Sequence, residues 1–188
     1  MLTMNPAVTI SETKDSIEIL APPESDFFID PDSGKAKSDA PFYYERTAGH
    51  FVARVLVKPN FKKKYDAGGL FVYDSPTKWI KLEFEMTDLG HPSVVTVVTN
   101  GASDDANGER LDEVPAIRLQ IARRGDLWAC HYSADGRKWK MVRYFLLKMK
   151  AALRVGLEAQ SPVGRGCVVE FRGYSLVAGA PADMRKGR

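Results

Sequence analysis

Residues 79–86, WIKLEFEM, combine a tryptophan, a lysine and two carboxylates with apolar residues in strict alternation. Successive side chains of a β-strand point to opposite faces, so Trp79, Lys81, Glu83 and Glu85 are expected to share one face. Two carboxyl groups can act as acid and base on a glycosidic bond, and an aromatic ring can stack on a sugar. The pattern therefore indicates a catalytic pair, a ligand-binding surface or a solvated strand face.

A catalytic pair is the weakest of these interpretations, and we predict no catalytic residue. Residues two apart on a strand have Cα atoms roughly 6.5–7 Å apart, so Glu83 and Glu85 permit glycosidase geometry. The same face offers no third carboxylate, and Lys81 would tend to keep Glu83 ionised. A glycoside hydrolase would need a partner carboxylate from another strand, such as Glu158 or Glu170.

Short strands must position these side chains, because helical periodicity is nearly absent from the sequence. Turn residues separate eleven apolar or alternating runs, and Gly125 and Asp135-Gly136 mark two tight hairpins that join three of them into a meander. This pattern predicts an antiparallel β-sandwich or barrel. The predicted strands are residues 16–20, 42–47, 51–57, 69–73, 79–86, 93–100, 116–123, 127–133, 138–145, 153–159 and 166–177.

Composition indicates one globular domain over residues 1–177, followed by a flexible basic tail at 178–188. The chain has 188 residues, is 44% hydrophobic and carries a formal charge of +3, which is too balanced to favour nucleic acid. It has no long apolar run and no secretory signal pattern, so we expect no membrane span and a cytoplasmic location. Buried free thiols are the default for Cys130 and Cys167, although an inter-strand disulfide is the alternative.

The residues that could bind a metal give a weak signal, and we expect no cofactor. No cluster of Cys and His indicates a zinc site. The segment NGASDDAN at 100–107 has oxygen ligands suited to Ca²⁺, but it lacks the spacing of an EF-hand loop. Turn hydrogen bonds explain it equally well, and calcium would use Asp104, Asp105 and Asn107.

Several collinear motifs resemble a bacterial and fungal domain-of-unknown-function family named "regulation of enolase protein". Where members of the family often have tryptophan, this chain has Phe28 and Asp105. The resemblance implies a concanavalin A-like jelly-roll sandwich of two curved antiparallel sheets, a superfamily that contains lectins, glucanases and accessory domains of xylosidases. The matching motifs are SDFF at 25–28, YDAGGLFV at 65–72, WIKLEF at 79–84, PSVVTVVTNG at 92–101, SDDANG at 103–108 and YSADG at 132–136 with Trp139.

The resemblance and the residues together favour a noncatalytic module that binds a carbohydrate or similar polar ligand on the concave sheet. The alternative is a protein-interaction or metabolic regulatory domain that uses its sheet edges and the 101–115 loop, as a monomer or a homodimer. A glycoside hydrolase is the third interpretation. The predicted ligand-binding residues are Tyr73, Trp79, Lys81, Glu83, Glu85, Arg118, Gln120, Arg154 and Glu158.

Overall fold

A computed structural model describes residues 1–5 and 8–188, and these ranges form sixteen β-strands. Within them, no helix has the length and apolar character needed to cross a membrane. The strands are β1 (Leu2–Met4), β2 (Val8–Glu12), β3 (Ser16–Ala21), β4 (Phe27–Ile29), β5 (Ala36–Ser38), β6 (Phe42–Ala48), β7 (Phe51–Pro59), β8 (Ala67–Ser75), β9 (Lys78–Met86), β10 (Pro92–Asn100), β11 (Ser103–Arg110), β12 (Ile117–Arg124), β13 (Leu127–Ser133), β14 (Lys140–Leu146), β15 (Ala152–Gln160) and β16 (Cys167–Ala178).

Two seven-stranded antiparallel sheets form the sandwich and enclose its core. The first sheet has the order β1-β6-β15-β8-β9-β10-β11, and the second has the order β14-β13-β12-β7-β16-β3-β2. Alternate side chains of each sheet meet between them, for example Leu82 of β9 and Leu119 of β12 in one buried cluster. A short hairpin, β4–β5, stands apart from both sheets. The all-β jelly-roll sandwich predicted from the sequence is confirmed.

The eleven strands predicted from the apolar pattern correspond to β3, to β6 through β10 and to β12 through β16. The predicted meander is β12-β13-β14, which are neighbours at one end of the second sheet. Its two tight turns place Gly125 at φ 65° and Gly136 at φ 72°, in the left-handed region that glycine enters without a steric penalty. These turns therefore form where the sequence indicated them.

The prediction that residues 101–115 form an irregular loop is wrong. Most of this segment is β11, which pairs with β10 and is the outermost strand of the first sheet. Its sequence, SDDANGER, has no apolar alternation because almost all of its side chains are exposed. Backbone pairing rather than side-chain burial holds it in place, and the same holds for the short strands β1, β2 and β5.

The segment expected to be a flexible tail packs on the outer face of the second sheet. Met184 is 1% exposed and lies in a cluster with Ala122 and Ala129. These two small residues leave room above β12 and β13, and the methionine side chain fills it. Burial of Met184 is the physical reason why residues 180–188 do not extend into solvent.

Both cysteines are buried and unpaired in the described part of the chain, as predicted from the sequence. Cys130 lies on β13 and Cys167 on β16, and both face the core between the sheets. Burial raises the pKa of each thiol to about 12, so both remain protonated at neutral pH.

Candidate functional site

The polar side chains of β9 lie on the outer face of the first sheet, which is the face that the resemblance predicts to be concave. The alternate apolar side chains of the strand fill the core, as predicted. The four polar-face residues are nevertheless almost fully buried: Trp79 is 0%, Lys81 1%, Glu83 0% and Glu85 7% exposed. The hairpin β4–β5, called the covering hairpin below, packs over part of this face and excludes solvent from it.

A glycine brings two glutamates from different strands together. In the strand register, Gly69 of β8 lies between Glu83 of β9 and Glu158 of β15. A Cβ atom on Gly69 would lie only 2.1 Å from the carbonyl oxygen of Leu82, so no larger residue fits there without a shift of the backbone. Glu83 and Glu158 thus lie on either side of this glycine, close enough for the charge of Glu83 to act on Glu158.

Lys81 supplies the positive charge of this cluster. Its Nζ lies 3.2 Å from Glu83 Oε2 and 3.2 Å from Asp26 Oδ1, and it also donates a hydrogen bond to Gln160 Oε1. Burial disfavours the ammonium ion, but the neighbouring carboxylates of Glu83 and Asp26 outweigh burial and raise the pKa of Lys81. The lysine is therefore ionised at neutral pH and is held from three sides.

Glu158 lies in surroundings that disfavour its ionised form. Burial, and then the charge of Glu83, raise the pKa of Glu158 well above that of an ordinary glutamate. Apart from the ion pair of Glu83 with Lys81, no donor in residues 1–5 and 8–188 hydrogen bonds to the carboxyl oxygens of Glu83 and Glu158. Burial and the like charge of Glu83 therefore act on Glu158 without a donor that would offset them.

A cavity of about 450 Å³ opens beside this cluster on the outer face of the first sheet. Glu83 and Glu158 do not line it. Its floor consists of buried residues from the sheet, and its rim comes from the chain around the covering hairpin, from the segment before β8, from the turn after β9 and from β11. The floor residues are Lys81, Glu85, Val95, Val97 and Gln160; the rim residues are Asp26, Phe28, Asp30, Tyr65, Asp88, Asp105 and Asn107.

The predicted aromatic residues lie under the covering hairpin and not in the cavity. Trp79 and Tyr73 stack with an interplanar angle of 5°, and Phe27 of the hairpin packs edge-on against Trp79 at 5.8 Å between ring centroids. Arg154 lies over the ring of Tyr73 and over that of Tyr44. The expectation that Trp79 faces a ligand is thus corrected, because Phe27 occupies the space where a sugar ring would stack.

Arg118 and Gln120 are not part of this site. Both belong to β12, which is in the second sheet, and they point away from the core on its outer face. Gln120 accepts a hydrogen bond from Arg54 Nε at 2.6 Å and donates one to the carbonyl oxygen of Gly187 at 3.1 Å. Alternation along β12 showed that they point outward, but it carries no information on which sheet holds the strand.

The residues considered for calcium do not converge on one point. Asp105 and Asn107 line the cavity, whereas Asp104 forms an ion pair with Arg143 Nη2 at 2.9 Å. Neighbouring residues of a strand point to opposite faces, so Asp104 cannot join the other two. In the described part of the chain, no group of three or more His, Cys, Asp or Glu side chains has an arrangement suited to a metal ion.

The carboxylates proposed for glycoside cleavage have the wrong surroundings. Glu158 does come close to Glu83, but only Gly69 lies between the two residues, whereas a retaining enzyme places its substrate between carboxyl groups about 5–5.5 Å apart. Both are buried, at 0% and 1% exposed, and neither reaches the cavity. Glu170 lies on β16 in the second sheet.

Several cavity residues were not predicted, although the sequence contained a signal for two groups of them. Asp26 and Phe28 belong to the SDFF motif, and Tyr65 begins the YDAGGLFV motif, both of which carried the family resemblance. Asp105 and Asn107, which were considered only for calcium, belong to the SDDANG motif that carried the same resemblance. Gln160 had no comparable signal, because a single amide on a strand is ordinary. Motifs shared with a family but lacking apolar alternation were the better indicators of this site.

The fold and the site together define a concanavalin A-like β-sandwich with a polar cavity on the outer face of one sheet. The chain belongs to the family described as "Protein of unknown function (DUF1349)", which matches residues 3–178. It is 26% identical over 155 residues to "Regulation of enolase protein 1" of Saccharomyces cerevisiae, and the match covers 82% of this chain and 78% of that protein.

Solved structures show the same fold. A functionally unknown protein from Saccharomyces cerevisiae superposes with a TM-score of 0.89 at 24% identity, over 97% of each chain. A K247S mutant of the GH43 protein BlXynB from Bacillus licheniformis gives a TM-score of 0.68 at 15% identity, over 87% of this chain and 33% of that one. Lectin I-B4 from Griffonia simplicifolia gives 0.61 at 10% identity, over 93% and 91%.

Proposed function

We propose that the protein is a noncatalytic binding module that holds a carbohydrate in the cavity on the outer face of the first sheet. The observation that carries this proposal is the cavity itself, whose volume of about 450 Å³ is in the range of small-ligand sites. Carboxylates and amides on its wall can hydrogen bond to sugar hydroxyls. Phe28 and Tyr65 at its rim offer ring surface for the C–H face of a sugar.

The structural neighbours support a carbohydrate as the ligand class. One of them is a lectin and another is a GH43 protein, and both share the two-sheet sandwich with this chain. Binding is favoured over cleavage because the paired carboxyl groups of Glu83 and Glu158 are enclosed and do not line the cavity. Lys81 and Glu85 are the predicted residues that remain in direct reach of a ligand.

Filling the cavity should abolish binding. We expect a glycan array to identify a carbohydrate ligand and the Asn107→Trp variant to lose it, because an indole on β11 would occupy the cavity rim. The matched control is Ala106→Trp, which adds the same side chain to the opposite face of the same strand, where Ala106 is exposed. Isothermal titration calorimetry of both variants and the unmodified chain measures the effect.

Two results would contradict the proposal. One is the absence of any ligand across a broad set of glycans. The other is equal binding by Asn107→Trp and Ala106→Trp, which would place the ligand outside the cavity. Thermal unfolding of both variants separates a filled cavity from a misfolded protein, because a variant that only blocks the site retains the unfolding temperature of the unmodified chain.

A regulatory, protein-binding domain is the second candidate function. Two observations favour it: the name of the yeast relative, and the position of β11 as an exposed outermost strand of the first sheet, open to pairing with a partner strand. We expect a pull-down to recover a stoichiometric partner whose carboxyl-reactive cross-links map to β11. A pull-down without such a partner, or cross-links only to other strands, argues against this function.

A further inference from the structure

The cavity has a strong imbalance of charge. Its lining contains five carboxylate residues and a single lysine. The lysine, Lys81, already forms ion pairs with Asp26 and with Glu83 beneath the cavity. In the part of the chain that the structure describes, no lysine or arginine forms an ion pair with the carboxylates that remain, which are Asp30, Glu85, Asp88 and Asp105.

Glu85 shows most clearly that a partner is missing. Its side chain lines the cavity floor and is only 7% exposed, yet it makes no hydrogen bond or ion pair with any described residue. Burial, and then the charge of Glu83, raise the pKa of Glu85 well above the ordinary value. An enclosed carboxyl group without a partner is unfavourable, and a cation held in the cavity would supply the missing interaction.

Three carboxylates of the cavity act on Tyr65: Glu85 on the floor, and Asp88 and Asp105 on the rim. The pKa of the Tyr65 phenol is raised first by its burial and then by the charges of these three groups. Glu85 is on β9 and Asp105 on β11, and β10 between them contributes only Val95 and Val97 to the cavity. In the strand register Glu85 pairs with Ser93 of β10, whereas Asp105 pairs with Val97, so the two residues are also offset by roughly 13 Å along the strands. The two carboxylates therefore lie apart in the cavity and leave room for a sugar between them.

We propose that the cavity selects a carbohydrate that bears a free amine, an amino sugar in its ammonium form. Glu85 pairs with the ammonium group, and Asp88 and Asp105 add to the negative charge around it. This inference rests on the proposed carbohydrate-binding function and adds the charge of the ligand to it. A neutral sugar would leave the three carboxylates without a counter-charge. An acidic sugar would be repelled by them.

A matched series of ligands tests the charge alone. Cello-oligosaccharides, N-acetylated chito-oligosaccharides and their fully deacetylated form share one backbone and differ in a single ring substituent, which is a hydroxyl, an acetamide or an ammonium group. Galactose with galactosamine and mannose with mannosamine extend the comparison to other sugars. Calorimetry and NMR titration of the full chain near neutral pH should show the amine form binding at least about tenfold more tightly than its neutral counterpart.

Variants locate the preference in the cavity. Glu85→Gln and Asp105→Asn should reduce the ratio of amine to neutral affinity towards one, while binding of the neutral sugar is retained. Asp104→Asn is the matched control, because it makes the same charge change at the adjacent residue, whose side chain points away from the cavity to Arg143. It should leave the preference unchanged.

Each other outcome overturns the inference. Equal affinity for neutral and amine sugars refutes the amine preference and leaves the carbohydrate-binding function intact. Loss of the preference in Asp104→Asn as well would show general attraction to an acidic surface. If calcium chloride raises the unfolding temperature of the protein and the amine-bearing sugars have no effect, the cavity is a site for a metal cation and not for an amino sugar. Binding of none of these sugars, together with an empty glycan array, removes both this inference and the proposed function.

Discussion

Replacing Lys81 by methionine is expected to lower the free energy of unfolding by about 3–5 kcal/mol at neutral pH. Methionine fills a similar volume, so the loss comes from charge and not from a cavity. Without the ammonium group, Glu83, Glu158 and Asp26 remain close together, and the first two are fully enclosed. Urea denaturation of the variant and the unmodified chain measures the difference.

The loss of unfolding free energy in Lys81→Met should depend on pH and should be smaller at low pH. Carboxyl groups enclosed without a cation have folded-state pKa values above their unfolded values, so the folded state is favoured at low pH and loses stability as the pH rises. Burial and Glu83 already produce this direction for Glu158 in the unmodified chain, even with Lys81 present. The difference between variant and unmodified chain should therefore shrink as the medium is made more acidic.

A double variant is the control for this prediction. Lys81→Met combined with Glu83→Gln removes one negative charge along with the positive one, and it should recover a large part of the lost stability. A Lys81→Met protein within about 0.5 kcal/mol of the unmodified chain, the range of an ordinary surface substitution, would show that solvent or loop movement compensates the carboxylates.

Trp79→Ala is expected to destabilise the fold by about 3–5 kcal/mol, because Trp79 is 0% exposed and packs against Phe27, Phe71 and Tyr73. Its loss removes the residue on which the covering hairpin rests. The expected defect is in stability, since the indole does not line the cavity. Denaturation curves and ligand titration on the same variant separate the two effects.

Two further substitutions sharpen this expectation. The indole Nε1 is buried without a hydrogen-bond partner among the described residues, so Trp79→Phe should retain most of the stability that Trp79→Ala loses. Trp139→Ala removes a tryptophan that is partly exposed and lies under Arg54, and its effect should be much smaller. If Trp79→Ala loses carbohydrate binding at unchanged stability, the indole contacts the ligand and the covering hairpin must open to admit it.

Local pattern predicted the elements of this fold well. The eleven predicted strands have continuous apolar runs or apolar residues at every second position, and alternation is a property of the backbone that is visible in any strand with one face in a core. Strands held mainly by backbone pairing escaped this reasoning, and so did the short strand β4, which buries Phe27 and Ile29. The clearest case is β11, whose polar sequence resembled a loop, although it forms one wall of the cavity.

The candidate site was predicted only in part, and the errors have a common cause. Lys81, Glu85 and Glu158 do lie on the outer face of the first sheet with Glu83, but Arg118 and Gln120 lie on the other sheet. Alternation tells which side chains of one strand point together. It does not tell which strands are neighbours or what packs above them, because strand order and loop placement depend on contacts between residues far apart in the chain.

The sequence by itself therefore determined that Trp79, Lys81, Glu83 and Glu85 share the polar face of a strand whose other face is core. Only the tertiary structure decided what that face becomes. Gly69, by lacking a side chain, lets Glu158 meet Glu83 across an intervening strand, and the covering hairpin buries Trp79 with Phe27. The physical reason is that alternation is set by the geometry of each residue, whereas enclosure and charge pairing are set by how distant segments pack.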